Sequence, residues 1–142
     1  MKNEGGKKMN KFVSFEGIGY VAATFPVDDT TKEYLVANHT NPKTGNVDIN
    51  GKNLAVKLGE DGKVGFGEGA LLGVIMAYEM DGFASVQIAG GIDEVPTAAA
   101  LTGGVKGLGV NNKGEIVASE TGKVVTVAKP STVDNLFAAI IL

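Results

Sequence analysis

The chain has 142 residues, enough for one domain with a core of its own and too few for two comfortable ones. Its hydrophobic content of 44% argues against disorder, and a net charge of −3 with no arginine gives little to attract or grip nucleic acid. Cysteine is absent, which excludes disulfides and thiolate chemistry, and no apolar run approaches the roughly 18–20 residues that cross a bilayer. A soluble protein made inside a cell is expected, without a nucleic-acid or membrane partner.

Glycine is abundant, at 21 residues, with no collagen period, and this points to many turns between short strands. Residues 1–11, "MKNEGGKKMNK", are polar and carry Lys2, Lys7, Lys8 and Lys11, so they read as a flexible arm ahead of one β-rich domain over 12–142. From Phe12, "FVSFEGIGYVAATFPV" mixes aromatic and β-branched residues with glycines and reads as one or two strands. "DDTTKEYLVANHTNPKTG" reads as a polar loop around a short strand at Tyr34–Ala37, with a turn at Asn41-Pro42.

One device then recurs. "KTGNVDI", "EDGKVGF", "NKGEIVA" and "ETGKVVTV" each place a glycine, one polar residue, then valine or isoleucine. Glycine takes φ > 0 in a tight turn and the β-branched residue begins the outgoing strand. Between these turns, "NLAVKL" alternates Leu54, Val56 and Leu58 against Asn53, Ala55 and Lys57, the pattern of a half-buried strand. "ALLGVIMAYEM" is apolar almost throughout, and Gly73, Val74 and Ile75 favour strand over helix. Asp81-Gly82 then turns it into the alternating "FASVQIAGG", a strong hairpin signal. "PTAAALTGG" (96–104) fits a helical turn or an extended connector. "STVDNLFAAIIL" fits a short capped helix or a last strand, and its apolar end needs cover in the core or in a subunit contact. The fold expected is mainly β, a small barrel or sandwich of antiparallel strands and hairpins with an extended N-terminal arm and at most one or two short helices.

Chemical motifs fail on spacing. In "LTGGVKGLGVNNKGEIV" (101–117), Val110 and Asn111 follow Gly109 where a P-loop needs lysine and a hydroxyl, and position 112 is Asn where a dinucleotide fingerprint needs its third glycine. Those glycines are expected in turns, bulges and close strand packing. His39 is the one histidine and has no cysteine or histidine partner for a metal. The acidic pairs Asp28-Asp29, Glu60-Asp61 and Asp93-Glu94 lack calcium-loop spacing. No nucleophile elbow is present, and the "AYEMDG" hairpin has Glu79 and Met80 where a biotin or lipoate carrier has its lysine. No enzyme, cofactor or metal is expected.

"GALLGVIMAYEMDGFASVQIAGGIDEV" followed by "GGVKGLGVNNKGEIVASE" resembles the small β-rich decoration, or cement, proteins of tailed-phage heads. The resemblance spans residues 69–120 and runs on toward Leu142. It lies in a hairpin grammar: a Gly-Val/Ile strand, a short turn, an alternating strand, a linker and a second glycine-turned hairpin. It implies a structural virion protein that sits on the capsid exterior after synthesis in the host cytoplasm, binds the major capsid protein and stabilises the shell, often as a homotrimer. It implies no catalytic residues. The arm residues Lys2, Lys7, Lys8, Lys11 and Phe12 are then candidate capsid contacts. Leu101, Leu136, Phe137, Ile140, Ile141 and Leu142 are candidate self-association residues. A small-ligand or carbohydrate-binding β-module is the alternative, disfavoured by the absence of tryptophan and only 6% aromatic residues.

Overall fold

The computed structural model describes residues 19–79 and 81–142. The arm candidates Lys2, Lys7, Lys8, Lys11 and Phe12, and the first part of the strand expected from Phe12, lie outside them. The described chain is mainly β, with two antiparallel sheets and one short helix. In chain order the elements are β1 (Val21–Pro26), α1 (Asp29–His39), β2 (Ala55–Leu58), β3 (Val64–Gly65), β4 (Gly69–Ala70), β5 (Gly73–Tyr78), β6 (Phe83–Ala89), β7 (Gly91–Pro96), β8 (Gly104–Val110), β9 (Ile116–Ala118), β10 (Lys123–Lys129) and β11 (Phe137–Ile141).

The first sheet runs β1-β6-β5-β2-β3, and the second runs β4-β8-β10-β11-β7 with β9 added to β8. A parallel bridge between Val27 and Val64 brings the two ends of the first sheet together just past β1, so this sheet curls into a half-barrel. The chain crosses from the first sheet to the second at Gly90, where φ is +98°. Gln87, nearly buried at that corner, donates from Nε2 to the carbonyls of Ala89 and Gly91, both at 3.1 Å. A buried amide that serves two carbonyls compensates for the ladder bonds lost where a strand changes sheets.

Two apolar clusters form the core. One, with Val74, Leu108, Val125 and Ile140, lies between the sheets. The other, with Leu35, Val56, Phe66, Ile75 and Val86, fills the half-barrel under α1. Neighbouring residues of β5, Val74 and Ile75, belong to different clusters, so this strand is covered on both faces. That double cover explains its unbroken apolar sequence. β2 behaves likewise: Ala55 enters the first cluster, Leu54 and Val56 the second. The expected one-sided alternation of "NLAVKL" is therefore corrected: Ala55 is fully buried, and Leu58 is 46% exposed where the strand runs out into the hairpin to β3.

The segment expected as a polar loop around a strand at Tyr34–Ala37 is instead the helix α1. Asp28 caps it, accepting from the Thr31 amide at 2.7 Å. Only Thr31 and Leu35 of the helix are buried, one turn apart, so its apolar stripe is too thin to show as a helical period. Tyr34 meets Phe66 edge-on, with ring centroids 5.5 Å apart. The buried hydroxyl of Thr31 accepts from the Phe66 amide at 2.9 Å and ties the helix to the chain after β3. Thr31→Val keeps the shape and strands that N–H. It should cost about 1–3 kcal/mol in chemical denaturation, and a variant as stable as the parent would show that the bond contributes nothing.

Of the four glycine turns, three have the expected left-handed residue: Gly45 (φ +77°), Gly62 (+83°) and Gly114 (+80°). The fourth differs. Gly122 is not left-handed, and a Cβ there would lie 2.1 Å from the Leu108 carbonyl oxygen. It is glycine because two backbones meet. The Asp81-Gly82 hairpin forms between β5 and β6 as expected. Residues 97–103 are an irregular connector with bends at 98, 99 and 103, not a helical turn. Leu101 exchanges main-chain bonds with Ser131, whose hydroxyl also takes the Leu101 amide (2.8 Å) and the Thr97 hydroxyl (2.8 Å). "LFAAIIL" is the strand β11 with its ends, not a helix.

Candidate interaction surface

The stretch 101–117 is β8 and its hairpin to β9. Two of its glycines allow close approach: a Cβ on Gly107 would sit 2.2 Å from the Ser119 carbonyl oxygen, and one on Gly109 would sit 2.7 Å from that of Gly69. Among the described residues, no three His, Asp or Glu side chains gather as a metal site, and no helix is long and apolar enough to cross a membrane. His39 ends α1. Desolvation, with a smaller contribution from Lys52, pushes its imidazole below the ordinary 6.5.

The outer face of the second sheet stands out. Strand alternation and register put Val105, Gly107 and Gly109 of β8 on one side with Thr126 and Val124 of β10 directly opposite the first two. Their neighbours Leu108, Val125 and Val127 point inward to the core. Val105 is 71% exposed and Val124 67% exposed, and the rows they occupy hold no charged residue. Thr126 is also opposite Ile141 of β11, which extends the face toward the chain's end. Thus two exposed β-branched side chains, the natural covering of a pleated surface, stand on an uncharged part of this face, beside the stretch at Gly107 and Gly109 that Ser119 and Gly69 approach closely.

The candidate self-association residues divide. Leu101 and Ile140 are buried in the chain's own inter-sheet core, so within one chain they serve packing. Leu142 packs against that same core and is partly covered, as is Ile141. Leu136 and Phe137 are exposed, at 36% and 44%. Phe137 borders a shallow apolar cup of about 350 Å³ with Leu54 and Pro96, rimmed by Lys52 and Glu94. The exposed pair Val105 and Val124 was not singled out in the sequence. Strand alternation placed them in a β-rich region, but which alternate residue faces inward depends on where the other sheet packs.

A larger open cup of about 610 Å³ lies at the end of α1, lined by polar groups that include His39, Asn41, Lys43, Asp48 and Lys52. Among the described residues, the fold and these surfaces define a small two-sheet β protein with one capping helix. No protein-family model matches the chain, and no curated protein matches it either.

Proposed function

We propose that this chain is a structural virion protein of the decoration, or cement, class, which binds the outer surface of a phage capsid and stabilises it. The observation that carries this reading is the uncharged outer face of the second sheet around Val105 and Val124. Exposed apolar area without charge is the composition of an interface centre. A body stiffened by two cores presents it rigidly, so little ordering entropy opposes contact. The partner on this reading is the major capsid protein, and on the shell the chain acts as a homo-oligomer, a trimer by its resemblance to phage cement proteins. Phe137 and Leu136 are further contact candidates, and the lysines of residues 1–11 supply charge for an acidic shell surface. Many copies on one shell turn a modest contact into firm attachment.

Val105→Glu and Val124→Glu test it. Both side chains are largely exposed, so the fold should stand. Affinity for shells of the cognate capsid protein should fall at least about tenfold. Unchanged binding by both variants rejects this face as the contact.

The polar cup at the end of α1 favours the second reading, a small-ligand or carbohydrate module. Thermal-shift screening with sugars separates the two: the module reading requires a saturable rise in melting temperature that is lost in Lys52→Ala.

A further inference from the structure

Among the described residues β1 is the outer strand of the first sheet, and the edge it turns away from β6 has a definite polarity. Val27, just past it, donates its amide to the Gly82 carbonyl at 3.0 Å, on the β6 side. The next residue, Asp28, donates to the Val64 carbonyl at 2.9 Å, on the opposite side. The register with β6 is continuous from Ala22 to Pro26. Main-chain groups alternate sides along an antiparallel strand. Odd positions Ala23 and Phe25 therefore bond toward β6, while Ala22 and Thr24 turn their N–H and C=O groups outward. Pro26, which has no N–H to give, falls on the outward side, where a proline is tolerated. Among the described residues, β6 is the one strand paired with β1.

Pro26 guards one end of this edge, and the stretch before it carries no charged side chain. Residues 19–27 contain no charge, and Ala22 and Thr24 are exposed. Tyr20 and Val21, at its start, are 61% and 54% exposed. The outward N–H and C=O groups of Ala22 and Thr24 are a template for another strand.

We infer that β1 pairs antiparallel with β1 of a second copy about a two-fold axis through Ala23, joining the two first sheets into one continuous sheet. The pattern is self-complementary in this register. Ala22 of each copy faces Thr24 of the other, and each such pair exchanges both its hydrogen bonds. Ala23 meets its own counterpart, and its small side chain permits the close approach of a non-bonded pair. Val21 and Tyr20 come opposite Phe25 and Pro26 of the second copy, so apolar side chains meet apolar side chains and no like charges meet. In this register both central bonded pairs, Ala22 with Thr24 and Thr24 with Ala22, are complete, and Pro26 falls at the ends, opposite Tyr20. Centring on Thr24 leaves one complete pair, because Ala22 then faces Pro26, which has no amide to donate. Centring on Ala22 moves the partner of Thr24 out to Tyr20, beyond the irregularity between Val21 and Ala22. This isologous contact lies in the other sheet from the proposed shell-binding face, and its test needs no shell, so each can fail alone.

The contact is small, below about 1,200 Å² in total, and so weak. Sedimentation of the full chain from about 1 μM to 1 mM should show a monomer–dimer equilibrium within that range. Paired charges read the register. Ala22→Lys with Thr24→Lys places like charges opposite each other, whereas Ala22→Lys with Thr24→Glu places opposite charges together. The second double variant should dimerise about tenfold more tightly than the first. A parent that stays monomeric throughout overturns the inference, as do double variants that associate equally.

Discussion

Gly122→Ala should destabilise the protein by about 3–5 kcal/mol, among the largest effects a single methyl can have. The added Cβ would lie 2.1 Å from the Leu108 carbonyl oxygen, 2.5 Å from its carbon and 2.9 Å from its nitrogen. All three are backbone atoms of β8, the strand against which β10 forms its ladder and which carries the core residue Leu108. No rotamer can relieve the clash, so either the β10 register shifts or the hairpin opens. Gly45→Ala is the control. Nothing lies within 4 Å of a Cβ there, but φ is +77°. Its cost should be about 1 kcal/mol, from backbone strain alone. Urea denaturation of both variants checks the difference. Equal losses would mean that close approach is not what requires glycine at 122.

Ile140→Ala should cost about 2–5 kcal/mol, because a fully buried side chain leaves a cavity between the sheets. β11 pairs with β10 on one side and β7 on the other, so the surroundings cannot collapse far. Phe137→Ala, three residues earlier on an exposed position, should cost under about 1 kcal/mol. The two together decide whom the apolar tail serves. If it is packing for its own chain, Ile140→Ala lowers the melting temperature at every protein concentration. A loss that appears only under conditions of association would return Ile140 to a subunit contact.

Much of the fold was legible where local chemistry and burial agree. Asp81-Gly82 flanked by alternating strands, and Gly62 and Gly114 before valine and isoleucine, carry their turns in the residues themselves. What stayed hidden depends on distant partners. α1 rests on the Asp28 cap and on a hydroxyl that Thr31 offers to Phe66, 35 residues away; Asp28 three residues before Thr31 was the one local sign. The alanines of 96–104 favour helix locally, yet Ser131 takes the Leu101 amide and carbonyl into bonds of its own. Gly122 resembles three other turn glycines in sequence and differs in its backbone, which is not left-handed, and in the Leu108 main chain that lies against it. The candidate surface shows the same limit. An apolar tail announces a need for cover, and the sequence does not say whether the cover for Ile140 is its own core or another chain. Val105 and Val124 look like Val125 and Val127 until the first sheet covers one side of their strands.

On the proposed function, this rigid β-body attaches to an assembled protein shell. The most direct measurement is co-sedimentation with emptied heads built from the cognate capsid protein, over increasing amounts of the chain. Decoration predicts binding that saturates at a fixed ratio to the shell subunit, together with heads that withstand heating or chelation better than bare ones. A chain left in the supernatant at every concentration, or binding that rises without a plateau and leaves the heads no more resistant, would contradict it.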